Sequence, residues 1–206
     1  MLLYYITDMR QLGGRERLLE KIAEAARGGV DYIQLREREL TARELELLAR
    51  DALREVRQAG SRTKLLVNSR VDVALAVGAD GVHLRSDDIT ASEAREIWMK
   101  SAGRTDCVIG VSCHSLKDVL GTESHGADFA VFGPVFGKQG SSEPAVGLEA
   151  LRNVVQVSMP VIALGGVTLE NARACVDAGA AGVAGIRMFQ NRDVAEVGRR
   201  LEPRRR

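Results

Sequence analysis

Read from its amino terminus, the chain alternates short apolar runs with longer stretches whose apolar residues recur every three or four positions. Leu2 to Thr7 is the first run, followed by a turn through Asp8 and Gly13-Gly14. Leu18, Leu19, Ile22, Ala25 and Ala26 then recur at helical spacing until Gly28-Gly29 stops them. Val30 to Leu35 is the next run, and Thr41 caps an amphipathic helix that Gly60 closes. A run over 65–67 ends at Asn68, and 71–77 reads as a helix. The spacing predicts further strands over 81–84, 108–111, 129–132, 161–164 and 182–186. It predicts helices over 92–100, from 116, and over 148–155, 168–179 and 193–201. The strands are continuously apolar rather than alternating, as expected where both faces are buried under helices.

The junctions repeat. Gly28-Gly29-Val30-Asp31-Tyr32, Gly78-Ala79-Asp80-Gly81-Val82 and Gly126-Ala127-Asp128-Phe129-Ala130 each join a helix-ending glycine, a short turn and a new strand. Gly179-Ala180-Ala181-Gly182-Val183 repeats the pattern without the acid. Eight strand–helix units with a recurring junction predict an α/β fold, a single (β/α)8 TIM barrel spanning 1–206, rather than a doubly wound sheet. Residues 203–206 read as a disordered basic tail.

Composition narrows the classes of function. A net charge of +1 offers nothing global for nucleic acid or an anionic membrane. Cys107, Cys113 and Cys175 are an odd count without motif spacing, so neither a disulfide framework nor a zinc site is indicated. The opening Met1–Ile6 lacks the length and the basic flank of a signal segment, and no run reaches membrane-span length. The expectation is a cytoplasmic protein acting on small molecules.

In a barrel the chemistry lies at the C-terminal strand ends. The polar residues expected there are Thr7 and Asp8; Gln34, Arg36 and Arg38; Asn68, Ser69 and Arg70; Arg85, Ser86, Asp87 and Asp88; Ser112, Cys113 and His114; Lys138 and Gln139; and Arg187. Ile162-Ala163-Leu164-Gly165-Gly166-Val167 and Gly182-Val183-Ala184-Gly185-Ile186-Arg187 each carry an apolar run into glycine ahead of a helix, the first expected to start at Thr168. Glycine there lets backbone N–H groups close on an anion, and two such turns from consecutive strands form a phosphate clamp. Basic groups, amides, an acidic pair and the clamp suit a substrate with two phosphate-bearing parts and Mg²⁺ held by carboxylates. Plainer readings stand beside these. Asp87-Asp88 could cap the following helix, Arg36 could form a rim ion pair, and His83 reads as a satisfied interior histidine. Cys113 faces away from its neighbour His114, so no Cys–His nucleophile is expected.

Six stretches carry a resemblance. They are Gln34-Leu35-Arg36-Glu37-Arg38, Asn68-Ser69-Arg70-Val71-Asp72, Ala79-Asp80-Gly81-Val82-His83-Leu84, Gly110-Val111-Ser112-Cys113-His114-Ser115, Phe132-Gly133-Pro134-Val135-Phe136 and the Ile162–Val167 run. In this order, from about Tyr4 to Phe189, they resemble the thiamine phosphate synthase superfamily, which also holds the TenI-type thiazole tautomerases. The resemblance implies a barrel that joins hydroxymethylpyrimidine diphosphate to thiazole phosphate, with Mg²⁺ as cofactor. It places the pyrimidine on Gln34 and Ser112, and the diphosphate on Arg36, Arg38, Asn68 and Lys138. Mg²⁺ falls to Asp88, and the thiazole phosphate to the backbone of Gly165, Gly166, Gly185 and Ile186, with Arg187 alongside.

The departures are Arg38 for a lysine, Ser69 for a magnesium aspartate, a short loop after Phe136, and Arg187 for a small residue. They leave two alternatives: a thiazole tautomerase with His114 as proton shuttle, and a non-catalytic binder of thiamine or thiazole phosphate. A homodimer through outer helices, with Trp98 or the Leu45-Leu48-Leu53 side contributing, is a further expectation.

Overall fold

The computed structural model describes residues 1–103, 106–137 and 144–201. Lys138 and Gln139 of the sequence reading, and the basic tail 203–206, lie outside the described residues. Eight parallel strands close on themselves in chain order: β1 (Leu2–Ile6), β2 (Tyr32–Leu35), β3 (Lys64–Asn68), β4 (Gly81–Leu84), β5 (Val108–Cys113), β6 (Phe129–Phe132), β7 (Val161–Ala163) and β8 (Gly182–Gly185). Closure is by β1 on β8, from Leu2 opposite Gly182 to Tyr5 opposite Gly185. Between them run α1 (Met9–Leu12), α2 (Arg15–Arg27), α3 (Ala42–Gln58), α4 (Val71–Val77), α5 (Ala91–Ala102), α6 (Leu116–Ser124), α7 (Gly147–Val154), α8 (Ala172–Asp177), α9 (Arg187–Gln190) and α10 (Val194–Leu201). No helix among the described residues is long and apolar enough to cross a membrane.

The core has two shells. Tyr4, Leu66, Phe129, Val131, Ile162 and Ala184 fill the inside of the barrel. Between strands and helices lie Leu35, Val67, Leu48, Ala52 and Trp98, among many others. Leu45, Leu48 and Trp98 are buried in the chain's own core and Leu53 packs partly buried against it, the simpler reading of these residues. Inside the barrel Tyr32 stacks on Phe129 at 4.9 Å and Tyr4 meets Phe129 edge-on at 5.5 Å. Gly110 makes room for this packing. A Cβ there would lie 2.4 Å from the Phe129 ring and 3.1 Å from His83 Nδ1.

The repeated junctions acquire a physical role. Asp31, Asp80 and Asp128 sit where a new strand begins, and each carboxylate accepts the backbone N–H of the strand before it. The donors are Leu3 (2.8 Å), Leu65 (2.8 Å) and Ile109 (2.7 Å). Each aspartate N–H returns a bond to the carbonyl of that same residue. The acid thus locks the pairs β1–β2, β3–β4 and β5–β6 into register at the end of the barrel away from the mouth. Ala181, at the fourth junction, keeps the backbone bond to Val161 but supplies no carboxylate.

Three local expectations need correction. The turn after Thr7 holds a one-turn helix, α1, capped by Asp8 and closed by Gly13 in the left-handed region. Val30 and Asp31 precede β2 rather than belong to it. The helix after β7 begins at Ala172, not Thr168. The Asn171 carboxamide accepts from Thr168 N and donates to the Gly166 carbonyl, and this side-chain-closed turn holds 166–171 as a loop.

Candidate active site

The inward positions of β2 are Tyr32, Gln34 and, just past the strand, Arg36, because side chains alternate between the two faces. Gln34 is buried inside the barrel and its Nε2 has no hydrogen-bond partner. Arg36 is half-buried at the rim. Its pKa is lowered by burial first and then by the Arg38 charge, with Arg85 adding to the effect. Neither Arg36 nor Arg38 forms an ion pair with a described residue, whereas Arg70 is held by Asp72 (2.6 Å) and Arg85 by Asp87 (2.5 Å). The rim ion pair considered for Arg36 is therefore absent among the described residues, and its charge is offset only in part, by Asp8 and Glu37 at longer range. A cavity of about 290 Å³ opens on the Leu35, Glu37 and Leu45 side of β2, where Arg38, Asn68, Ser69 and Arg85 also line it; Arg36 is not among its lining residues.

Glu37, between the two arginines, faces the opposite way and fixes the loops. It accepts from Thr7 Oγ1 (2.5 Å) and from Met9 N (3.1 Å), while Thr7 Oγ1 accepts from Arg36 N (3.0 Å). Burial raises the Glu37 pKa against these bonds. Sequence reasoning gave Thr7 and Glu37 no role. Their signal was a buried threonine at a strand end and an acid between two free cations.

Asp88 does not cap α5. Thr90 does, in a reciprocal box with Glu93. The Asp88 Oδ2 instead accepts from Ser69 Oγ (2.7 Å) and Arg85 N (2.7 Å), and Asn68 Nδ2 donates to Ser69 Oγ (3.0 Å). Ser69 adopts a left-handed conformation, φ 58°. The described residues include no cluster of three or more metal-ligating side chains. A Mg²⁺ bound here would have Asp88 as its carboxylate and would depend on water and substrate for its remaining ligands. Exchanging Ser69 for aspartate tests this directly. Aspartate tolerates the left-handed backbone, so Ser69→Asp should fold, with a lower melting temperature in chelator from carboxylate repulsion. Calorimetric titration should show Mg²⁺ binding about tenfold tighter than in the parent chain.

On β5, Ser112 faces the interior and Cys113 the helices, where it is buried beside Thr122 with its thiol pushed up to about 11 by burial. His114 is exposed at the strand end, its Nδ1 2.6 Å from the Gly133 carbonyl. His83 on β4 is buried and satisfied, with Tyr4 Oη at 2.9 Å from Nδ1 and Ser112 Oγ at 2.8 Å from Nε2. Burial, with Arg36 adding, pushes its pKa down to about 3. The folded value lies below the unfolded one of about 6.5, so this stability is fully present above that pH and is lost as pH falls toward 3. Chemical denaturation of His83→Gln should show an acid-side loss between pH 7 and pH 5 smaller than the parent's by about 2 kcal/mol.

Across the mouth, Gly165 and Gly166 both take positive φ, 92° and 63°. A Cβ on Gly165 would sit 2.4 Å from Pro134 Cα, and one on Gly166 2.7 Å from Phe136 Cβ. The turn is therefore one that its positive φ values and close neighbours reserve for glycine and not, as expected, a helix N-terminus. The neighbouring turn after β8 runs through Gly185 and Ile186 into α9, a short helix that the sequence reading missed. Arg187 stands exposed at its start without an ion pair to a described residue. Gln190 closes α9 onto β1 by donating to Tyr5 Oη (3.1 Å) and the Asp8 carbonyl (3.0 Å).

Known proteins resemble the chain along nearly its whole length. The model of the thiamine monophosphate synthase family matches residues 3–189. A relative from Geobacter sulfurreducens is 46% identical over 88% of this chain and 83% of its own. The thiamine-phosphate synthase of Moorella thermoacetica is 38% identical over 96% of this chain and 92% of its own. Among solved structures, the thiamine phosphate pyrophosphorylase of Pyrococcus furiosus superposes with a TM-score of 0.81 at 35% identity, covering 97% of this chain and 93% of that one. With its closed barrel, this family match and these relatives, the chain belongs to the thiamine monophosphate synthase family.

Proposed function

We propose that the chain is a thiamine-phosphate synthase, coupling a hydroxymethylpyrimidine diphosphate to a thiazole phosphate with release of pyrophosphate. The observation that supports this best is the charge layout of one mouth. Arg36 and Arg38, unpaired among the described residues, stand on one side, and the glycine turns after β7 and β8, with Arg187, stand on the other. Gln34 and Ser112 occupy the floor between them. Two anions can be held apart while an uncharged ring lies on the floor.

In this reading the bond from the pyrimidine methylene carbon to the diphosphate oxygen breaks, and its electron pair leaves with pyrophosphate. Arg36 and Arg38, with Asn68, neutralise the charge that develops on the leaving group. Lys138 is assigned there too by resemblance. The thiazole nitrogen lone pair then bonds to the methylene carbon, and Gly165, Gly166, Gly185 and Ile186 fix its direction through the phosphate. No proton transfer is needed to join the rings. Asp88 is the residue that would hold Mg²⁺, which supplies further charge neutralisation at the diphosphate when bound.

The test is an end-point assay with both substrates and Mg²⁺, reading thiamine phosphate by thiochrome fluorescence. Turnover dependent on both substrates is expected. No product would overturn the reading. The tautomerase alternative has one observation in its favour: Nδ1 of His114 is committed to the Gly133 carbonyl, which leaves Nε2 open. Isomerisation of thiazole carboxylate phosphate, abolished by His114→Ala, would move the assignment there.

A further inference from the structure

Four polar side chains share the inward face of the barrel just below the mouth: Tyr4 on β1, Gln34 on β2, His83 on β4 and Ser112 on β5. Tyr4, Gln34 and His83 are all at least 98% buried. The hydrogen bonds run from Tyr4 Oη to His83 Nδ1 (2.9 Å) and from His83 Nε2 to Ser112 Oγ (2.8 Å). A neutral imidazole has one donor and one acceptor nitrogen, so the chain of bonds has a direction that either end can set. Burial holds His83 neutral and keeps the Tyr4 phenol protonated. The phenolic proton must therefore find an acceptor. Gln34 presents its amide nitrogen, a donor, toward Tyr4 Oη. His83 Nδ1 is thus the acceptor that Tyr4 is bonded to, and the ring proton resides on Nε2. Ser112 Oγ then accepts from the imidazole, and its own proton has no partner among the described residues.

We propose that Tyr4 and His83 are positioning residues that make Ser112 an obligate hydrogen-bond donor toward the mouth. The Ser112 hydroxyl then presents a donor to the substrate ring, while Gln34 Nε2 stays turned toward Tyr4 Oη. Such a floor accepts a heteroaromatic ring that offers lone pairs, such as diazine nitrogens, and rejects one that offers N–H groups. The discrimination follows from leaving that donor unpaired against the wrong ring. The assignment of the ring to the pyrimidine half rests on the synthase reading, whereas the direction of the bonds does not.

Two measurements test the proposal on the full chain. The first is ¹⁵N NMR of the histidine-labelled protein, in which only three histidines contribute. His83 should be the Nε2–H tautomer at pH 7 and remain so at pH 5. An Nδ1–H tautomer would reverse every bond, make Ser112 an acceptor and overturn the proposal.

The second is Tyr4→Phe, which keeps the ring in the core but frees Nδ1. The KM for the pyrimidine diphosphate should rise about tenfold, with kcat and the KM for thiazole phosphate within about twofold of the parent. His83→Gln, whose amide nitrogen can still donate to Ser112, should retain more pyrimidine affinity than His83→Phe. Equal changes in both KM values, or none, would reduce the relay to core packing. Should the chain make no thiamine phosphate, the tautomer still decides the relay, and only the synthase reading falls.

Discussion

Replacing Arg36 with glutamine is expected to lower kcat/KM for the pyrimidine diphosphate by about two to three orders of magnitude, the usual cost of losing one preorganised charge donor. The same change should leave the melting temperature unchanged or slightly raised. A half-buried guanidinium without an ionic partner, beside Arg38 and Arg85, costs the empty fold free energy through desolvation and like-charge repulsion. Its geometry is also independent of its side-chain charge, because the Arg36 backbone N–H is held by Thr7 Oγ1 and that threonine by Glu37. The rim should therefore survive the substitution. Steady-state kinetics and a thermal melt on one preparation separate the two effects. A parallel fall in both would mean that Arg36 holds the loop together rather than the diphosphate.

Gly166→Ala is the second large effect. Alanine must adopt φ 63° and place a Cβ 2.7 Å from the Phe136 Cβ and from its carbonyl oxygen. Backbone strain and overpacking together should destabilise the chain by about 2–4 kcal/mol. Because the Asn171 carboxamide hangs from the Gly166 carbonyl, relief of the clash will displace the whole 166–171 turn. The KM for thiazole phosphate should rise at least about tenfold, with a much smaller change for the pyrimidine diphosphate. Kinetics with each substrate varied in turn, together with a urea titration, checks both parts. A uniform loss of kcat with unchanged KM values would place the phosphate elsewhere.

The barrel was legible because its signals are local and repeated: eight apolar runs, helical periodicity between them, and four similar junctions. The residues grouped at the mouth were legible for the same reason, since a strand end tells where Gln34, Asn68, Asp88 and Ser112 must stand. Four things were not. The acids of the junctions were visible as a pattern, but nothing in the residue order says that Asp80 accepts from Leu65, fifteen positions earlier. The start of α8 was misplaced because Thr168 is a good cap in isolation, while Asn171 outcompetes it by closing a turn on Gly166. α9 is a single turn, too short to display a period. The interior relay was hidden as well, because Tyr4, His83 and Ser112 are separated by long stretches of chain and meet only once the barrel closes.

The missing fourth aspartate bears on how the closed sheet opens. β7 is the shortest described strand, three residues, it meets β8 at only two register positions, and Ala181 stands where the three similar junctions carry a carboxylate. The wall of the barrel is thus least secured along one seam, and amide exchange should breach it there before elsewhere. The glycine turns proposed to grip the thiazole phosphate sit at the mouth end of that seam, one on each side. A bound phosphate would act as a removable staple across it, so amide exchange along this seam should slow when thiazole phosphate is bound.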